Sequence, residues 1–241
     1  MFQTAAKKAR GRRVALASAV VGALAAGLVG GPGAAGAEVA AERDGYGKVS
    51  VVHAVPGLKV DVYANGRLLL EDFRPGQTAG PLRVPADTYR LKVTRPNKSK
   101  AVLARRATLE RGADASIVAY LGQSGTPKLG VFANNIGPVR SGRARLTVRH
   151  VAAAPKVDVA LRRHGEESRV VVSGLANGGE ATGKLEAGRT GATVFVAGTK
   201  TRAIGPAPLR LRSQKHVFVY AWGSADSGYR FLVQSRGAAK S

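Results

Sequence analysis

His53 and Asp61 stand eight residues apart, and the same pair returns as His150 and Asp158 at a shift of 97 residues. An imidazole beside a carboxylate can serve as a general base or join a metal site, the carboxylate fixing the tautomer. The phase of the flanking residues speaks against both roles. His53 continues the alternation of Val49 and Val51, whereas Asp61 lies out of phase with Val60 and Val62. One His and one Asp also leave a metal short of its usual four ligands. His53, Asp61, His150 and Asp158 are therefore expected to anchor loops through backbone hydrogen bonds.

Other reactive residue types offer less. Gly122-Gln123-Ser124-Gly125 and Gly223-Ser224-Ala225-Asp226 place serines beside glycines without forming a nucleophile elbow. His164-Gly165-Glu166-Glu167 lacks the second His of a helical zinc motif. The sequence has no Cys, which removes thiol nucleophiles, thiolate metal sites and disulfides. No catalytic residue, metal or cofactor is expected, and the chain reads as a non-enzyme.

Charge is the feature with the most chemistry in it. Against 15 Asp and Glu the 241 residues carry 38 Lys and Arg, a formal net charge of +23. Arg90, Lys92, Arg145, Arg149, Arg210 and Arg212 alternate with apolar neighbours, so they are expected in rows on outward strand faces. Lys98, Lys100, Arg105 and Arg106 extend the first row through the Pro96-Asn97 turn. Such rows attract polyanions through summed charge. The expected partner is an anionic envelope polymer or an acidic glycan, with a protein partner in the envelope as a further option. Nucleic acid is the weaker partner, because Tyr89, Tyr120 and Phe218 fall in core phase and a single Trp, Trp222, makes no stacking platform.

The elements that must hold these residues are strands. Val49, Val51 and His53 alternate, as do Tyr89, Leu91 and Val93, and Leu146 and Val148. Asn65-Gly66 between two apolar runs is a tight hairpin turn. Internal repetition sets the domain count. Lys59-Val60-Asp61-Val62 recurs as Lys156-Val157-Asp158-Val159, and Val118-Ala119-Tyr120-Leu121-Gly122 is echoed, at a shift of 101, by Val219-Tyr220-Ala221-Trp222-Gly223. The expected architecture is all-β: two tandem antiparallel β-sandwiches, immunoglobulin-like or prealbumin-like, spanning residues 46–136 and 143–236. Residues 137–142 form the linker and 237–241 a tail. A closed barrel is the structural alternative.

Val52-His53-Ala54-Val55-Pro56, Val60-Asp61-Val62-Tyr63-Ala64-Asn65-Gly66 and Val84-Pro85-Ala86-Asp87-Thr88-Tyr89 resemble the secreted bacterial family called domain of unknown function 4397. Its members commonly read V-H-A-x-P, V-D-V-Y-x-N-G and L-P-A-G-T-Y. The resemblance covers about 48–132 closely and the second unit more loosely, where Glu186-Ala187-Gly188-Arg189 stands for the Pro-Ala-Gly-Thr stretch and Ala160 for the hairpin Tyr. It implies a β-sandwich in an exported, often actinobacterial protein, and no established activity.

Lys7, Lys8, Arg10, Arg12 and Arg13 precede an uncharged apolar run, Val14 to Val29, and Ala35-Gly36-Ala37 follows. That order describes a secretory signal peptide at 1–37, cut before Glu38, with 38–45 as a short lead. An uncleaved anchor through residues 14–36 is the alternative, since about 20 apolar residues span a bilayer. Removal of 1–37 takes away five positive charges and leaves +18 on 204 residues with no further membrane span. The expected product is an extracellular or wall-associated, noncatalytic module that binds or organises anionic envelope components. The rival readings are a structural or protein-partner module with incidental charge and, more remotely, an enzyme whose site is not recognisable.

Overall fold

The computed structural model describes residues 3–4 and 45–237; the expected signal-peptide cut after Ala37 lies outside these. The described residues form strands and no helix. The first unit holds β2 (Tyr46–Ala54), β3 (Val60–Ala64), β4 (Arg67–Phe73), β5 (Thr78–Pro85), β6 (Thr88–Thr94), β7 (Ala101–Thr108), β8 (Asp114–Leu121) and β9 (Pro127–Ala133). The second holds β10 (Arg143–Ala153), β11 (Val157–Arg162), β12 (Arg169–Leu175), β13 (Glu180–Glu186), β14 (Gly188–Val196), β15 (Arg202–Leu211), β16 (Lys215–Ser224) and β17 (Gly228–Gly237). A two-residue strand β1 (Gln3–Thr4) pairs with the edge of β13.

Each unit contributes four strands to each of two open sheets, one of which gains β1 as a fifth strand in the second unit, and the barrel alternative falls away. In the first unit the sheets run β5-β2-β8-β9 and β4-β3-β6-β7; the second repeats both orders as β13-β10-β16-β17 and β12-β11-β14-β15. The pairing is not antiparallel throughout, which corrects the expectation: β2 runs parallel to β8, and β10 to β16. Between the two partners the chain crosses to the other sheet and back, and a connection of that length can re-enter in the same direction.

Local chemistry accounts for the hairpin. Asn65 and Gly66 both take positive φ, 51° and 81°, directly between the paired residues Ala64 and Arg67. That geometry matches the twist of the flanking strands.

Val49, Val51, Val60, Val62, Leu91 and Val93 fill the space between the two sheets of the first unit. Leu146, Val148, Val159, Val194, Val217 and Val219 do so in the second. A third apolar cluster lies between the units. Val52, Val118, Tyr120 and Phe132 from β5-β2-β8-β9 meet Val151, Phe218, Tyr220, Trp222 and Leu232 from β13-β10-β16-β17. Four sheets therefore stack in the order β4-β3-β6-β7, β5-β2-β8-β9, β13-β10-β16-β17, β12-β11-β14-β15. The two inner sheets are covered on both faces and the two outer sheets on one.

The strand register corrects the repeat alignment near its end. His53 pairs with Ala119, and its counterpart His150 with Ala221, a shift of 102 rather than 101. Tyr120 thus corresponds to Trp222, and both belong to the cluster between the units. In a strand a one-residue slip exchanges the two faces, so the sequence echo alone would have turned one of them the wrong way.

Candidate functional site

The two His–Asp pairs hold loops. His53 is buried, its Nε2 donates to Leu58 O at 2.6 Å, and its Nδ1 accepts from Val55 N at 3.4 Å. These contacts assign the proton to Nε2, and the ring stacks on Phe73. His150 repeats the geometry on Pro155 O at 2.7 Å. Burial lowers both imidazole pKa values, partly offset by these backbone bonds. Asp61 accepts from Asp72 N at 2.9 Å. Asp158 accepts from Gly174 N at 2.7 Å and Gly198 N at 2.9 Å. Among the described residues no three His, Cys, Asp or Glu side chains gather as a metal site would require.

The ten cations expected on outward faces separate into four environments. Arg90, Lys98, Lys100, Arg106, Arg210 and Arg212 are exposed. Lys92 is half-buried, with Nζ 4.6 Å from the Tyr63 ring centroid. Arg105 turns from the outer face and spans the open edge of the first unit, donating from Nη1 to Leu129 O at 2.8 Å. Arg145 and Arg149 are buried, which overturns the expectation that they stand outward. Their strand alternates as expected, but the face opposite Leu146 and Val148 meets the other unit instead of solvent.

Arg149 has no exposed surface. Its Nε donates to Glu180 Oε2 at 2.9 Å, its Nη1 to Tyr220 Oη at 2.8 Å and its Nη2 to Asn134 Oδ1 at 2.8 Å. The guanidinium lies 4.7 Å from the Phe132 ring centroid and 5.0 Å from that of Phe218. The bonds continue across the interface. Asn134 Nδ2 donates to Asp114 Oδ1 at 2.6 Å, Asp114 pairs with Arg236, and Arg236 Nη1 donates to Ser50 Oγ at 2.8 Å. Arg145 donates to Asn135 O at 3.0 Å, and His216 Nε2 to Gly137 O at 2.9 Å, which ties the linker down. A buried charge is tolerated when it is paired and its remaining donors are satisfied. Arg149 is paired with Glu180, and each of its three guanidinium nitrogens has an acceptor.

This network was missed in the sequence. Its one visible sign is the unbroken apolar run Val217 to Trp222 in β16, which points to a strand buried on both faces. Nothing in the order of residues marks Asp114, Asn134 or Arg236 as partners.

The outward basic faces lie at opposite ends of the stack. On β6 and β7, Arg90 and Arg106 are direct cross-strand partners, with Lys92 two residues along the same face. On β14 and β15, Arg189 and Arg210 are direct partners. Arg162 of β11 projects from the same outer face, opposite Gly191. Arg162 and Arg189 escaped the sequence reading. Like charges directly opposite destabilise a sheet, so each pair is a cost to its sheet.

Residues 47–160 match the model of the family described as domain of unknown function, DUF4397. The match runs through the whole first unit and into β11. No curated protein matches the chain. Two solved structures are similar over most of its length. The Bacillus anthracis TIE protein aligns at 13% identity and a TM-score of 0.25, over 77% of this chain and 34% of its own. A Bacteroides uniformis protein, provisionally described as a cell adhesion protein, aligns at 9% identity and a TM-score of 0.25, over 82% of this chain and 99% of its own. The chain thus spans about a third of the Bacillus anthracis protein's length. Likeness at these scores carries neither a fold type nor an activity. No helix of the described residues is long and apolar enough to cross a membrane.

Proposed function

We propose that the chain is an exported, noncatalytic pair of immunoglobulin-like or prealbumin-like sandwiches that binds anionic polymers of a bacterial envelope, such as wall phosphopolymers or acidic glycans. The observation that carries this reading is the facing of Arg90 with Arg106 and of Arg189 with Arg210 on the outer sheets. Each pair offers two guanidinium forks at one strand spacing, about 4.5–5.5 Å between Cβ atoms. Guanidinium forks suit phosphate and carboxylate oxygens. The buried arginines contribute nothing to this surface, so the binding residues are Arg90, Lys92, Arg106, Arg162, Arg189 and Arg210, with Lys98, Lys100 and Arg212 at the margins.

Retention of the chain on a wall phosphopolymer, compared with Arg90→Gln/Arg106→Gln and Arg189→Gln/Arg210→Gln variants, tests it. Each double variant is expected to bind about tenfold more weakly while keeping the wild-type melting temperature, because exposed charges contribute within about 1 kcal/mol to stability. Unchanged retention in both variants contradicts the reading. A structural or protein-partner module is the second reading, favoured by the exposure of Leu68, Val102 and Val170 on strands next to the basic residues.

A further inference from the structure

The second unit differs from the first at one end of its sandwich, and the differences converge on one cavity. Strand register makes Thr190 the counterpart of Tyr89: Val62 pairs with Val93 and its counterpart Val159 with Val194, so positions four residues upstream correspond. In the first unit Tyr89 packs against the core and its hydroxyl donates to Pro85 O at 2.7 Å. In the second, a threonine occupies that position and leaves the end of the core unfilled. The carbonyl equivalent to Pro85 O is Glu186 O, and it accepts from Arg163 Nη2, also at 2.7 Å. Arg143 stands where the first unit has Tyr46.

The loop beside this end is also longer. Seven residues, 162–168, join Leu161 to its partner Arg169, whereas Asn65 and Gly66 alone join Ala64 to Arg67. The result is an open cleft of about 550 Å³, within the ordinary range of small-molecule sites, about 300–1,000 Å³. Leu161, Val171, Leu185 and Leu211 form its apolar lining. Arg143, Arg163 and Arg169 stand at its rim against two acids, Glu166 and Glu186. Glu186 is engaged by Arg163 at 3.4 Å. Among the described residues neither Arg143 nor Arg169 makes an ion pair, although Arg143 lies across the strands from Glu186, and both arginines are exposed.

We propose that this cleft binds a small amphiphilic anion, an apolar body of acyl-chain or single-ring size bearing a carboxylate or phosphate head. The apolar body covers Leu161, Val171, Leu185 and Leu211, and each methylene it buries there strengthens binding. The head takes the guanidinium forks of Arg143 and Arg169, which match either oxyanion. The site is separate from the outer sheet faces and does not depend on their binding a polymer.

Titration calorimetry of the full chain with octanoate, octyl phosphate and the neutral octyl glucoside tests the assignment. One equivalent of at least one octyl anion is expected to bind, with octyl glucoside at least about tenfold weaker. The tighter of the two anions identifies the head group. Thr190→Tyr restores the side chain of the first unit and is expected to abolish binding. Arg169→Gln is expected to weaken it about tenfold with the fold unchanged, and it decides the matter if Thr190→Tyr does not fold. Failure of both anions to bind, equal binding of octyl glucoside, or unchanged affinity in Arg169→Gln overturns the proposal.

Discussion

Arg149 shows what a single side chain does when both faces of a sheet are covered. Its guanidinium is buried, bonded to Glu180, Tyr220 and Asn134, and stacked against Phe132 and Phe218. Replacing it with Ala strands a carboxylate, a phenol and an amide. Arg149→Ala is therefore expected to cost about 3–5 kcal/mol, the range for breaking a buried pair, measurable as a lowered midpoint in urea. Polymer binding by the variant, measured where it remains folded, should be unchanged. His53, His150 and His216 act at the same scale but through protons. Burial lowers all three pKa values in the folded chain, and in His216 this outweighs the opposing bond to Gly137. The unfolded chain then binds more protons as pH falls below about 6.5, so the stability these groups contribute is full above that pH and is lost on acidification toward their folded values. The melting temperature is expected to fall between about pH 7 and 5.5, and His150→Gln should reduce the slope. A melting temperature that is flat over this window contradicts the burial of the neutral rings.

At the scale of the element, strands with one solvated face were legible and strands with two buried faces were only half so. Alternation in Tyr89–Val93 identifies the apolar phase of β6, and Asn65-Gly66 fixes the hairpin register. The same alternation in Leu146–Arg149 identifies the inward face, but it does not distinguish solvent from a second protein layer on the other side. The outward placement of Arg145 and Arg149 failed for that reason. The outer rows of Arg90, Lys92 and Arg106 were legible because β6 and β7 belong to a sheet whose far face no other described strand covers. The end cleft was out of reach for another reason: aligning Glu186-Ala187-Gly188-Arg189 with Pro85-Ala86-Asp87-Thr88 already puts Thr190 in the place of Tyr89, but nothing in the order of residues shows that this smaller side chain and the longer 162–168 loop open onto one cavity. Loops meet the interface at equivalent places: an added Cβ at Gly178, which has positive φ, would come 2.8 Å from Tyr120 Oη, and one at Gly76 would come 3.2 Å from Trp222. Gly178→Val is expected to destabilise the chain by about 1–3 kcal/mol through backbone strain and overpacking, read as a shift in the urea midpoint.

Across the whole molecule the two units meet through corresponding sheets, as subunits do in an isologous dimer. This leaves the outer sheets facing in opposite directions. The single Trp lies at the interface and is 5% exposed, so its fluorescence reports the separation of the units while circular dichroism reports the strands. A shared apolar cluster and a continuous polar network predict coincident unfolding transitions by the two probes. An earlier fluorescence transition contradicts a single cooperative body. The opposed faces, each with a pair of facing arginines, also predict that one chain can contact two polymer strands at once. Binding by such faces is driven by release of counterions, and its logarithm should fall linearly with the logarithm of salt concentration. The most direct measurement is the affinity of the full chain for a wall phosphopolymer across a series from about 50 to 200 mM salt. The account predicts a loss of orders of magnitude over that range if six or more phosphates are engaged, with a shallower slope in Arg90→Gln/Arg106→Gln. Absence of binding at low salt, or an affinity unchanged at high salt, would contradict it.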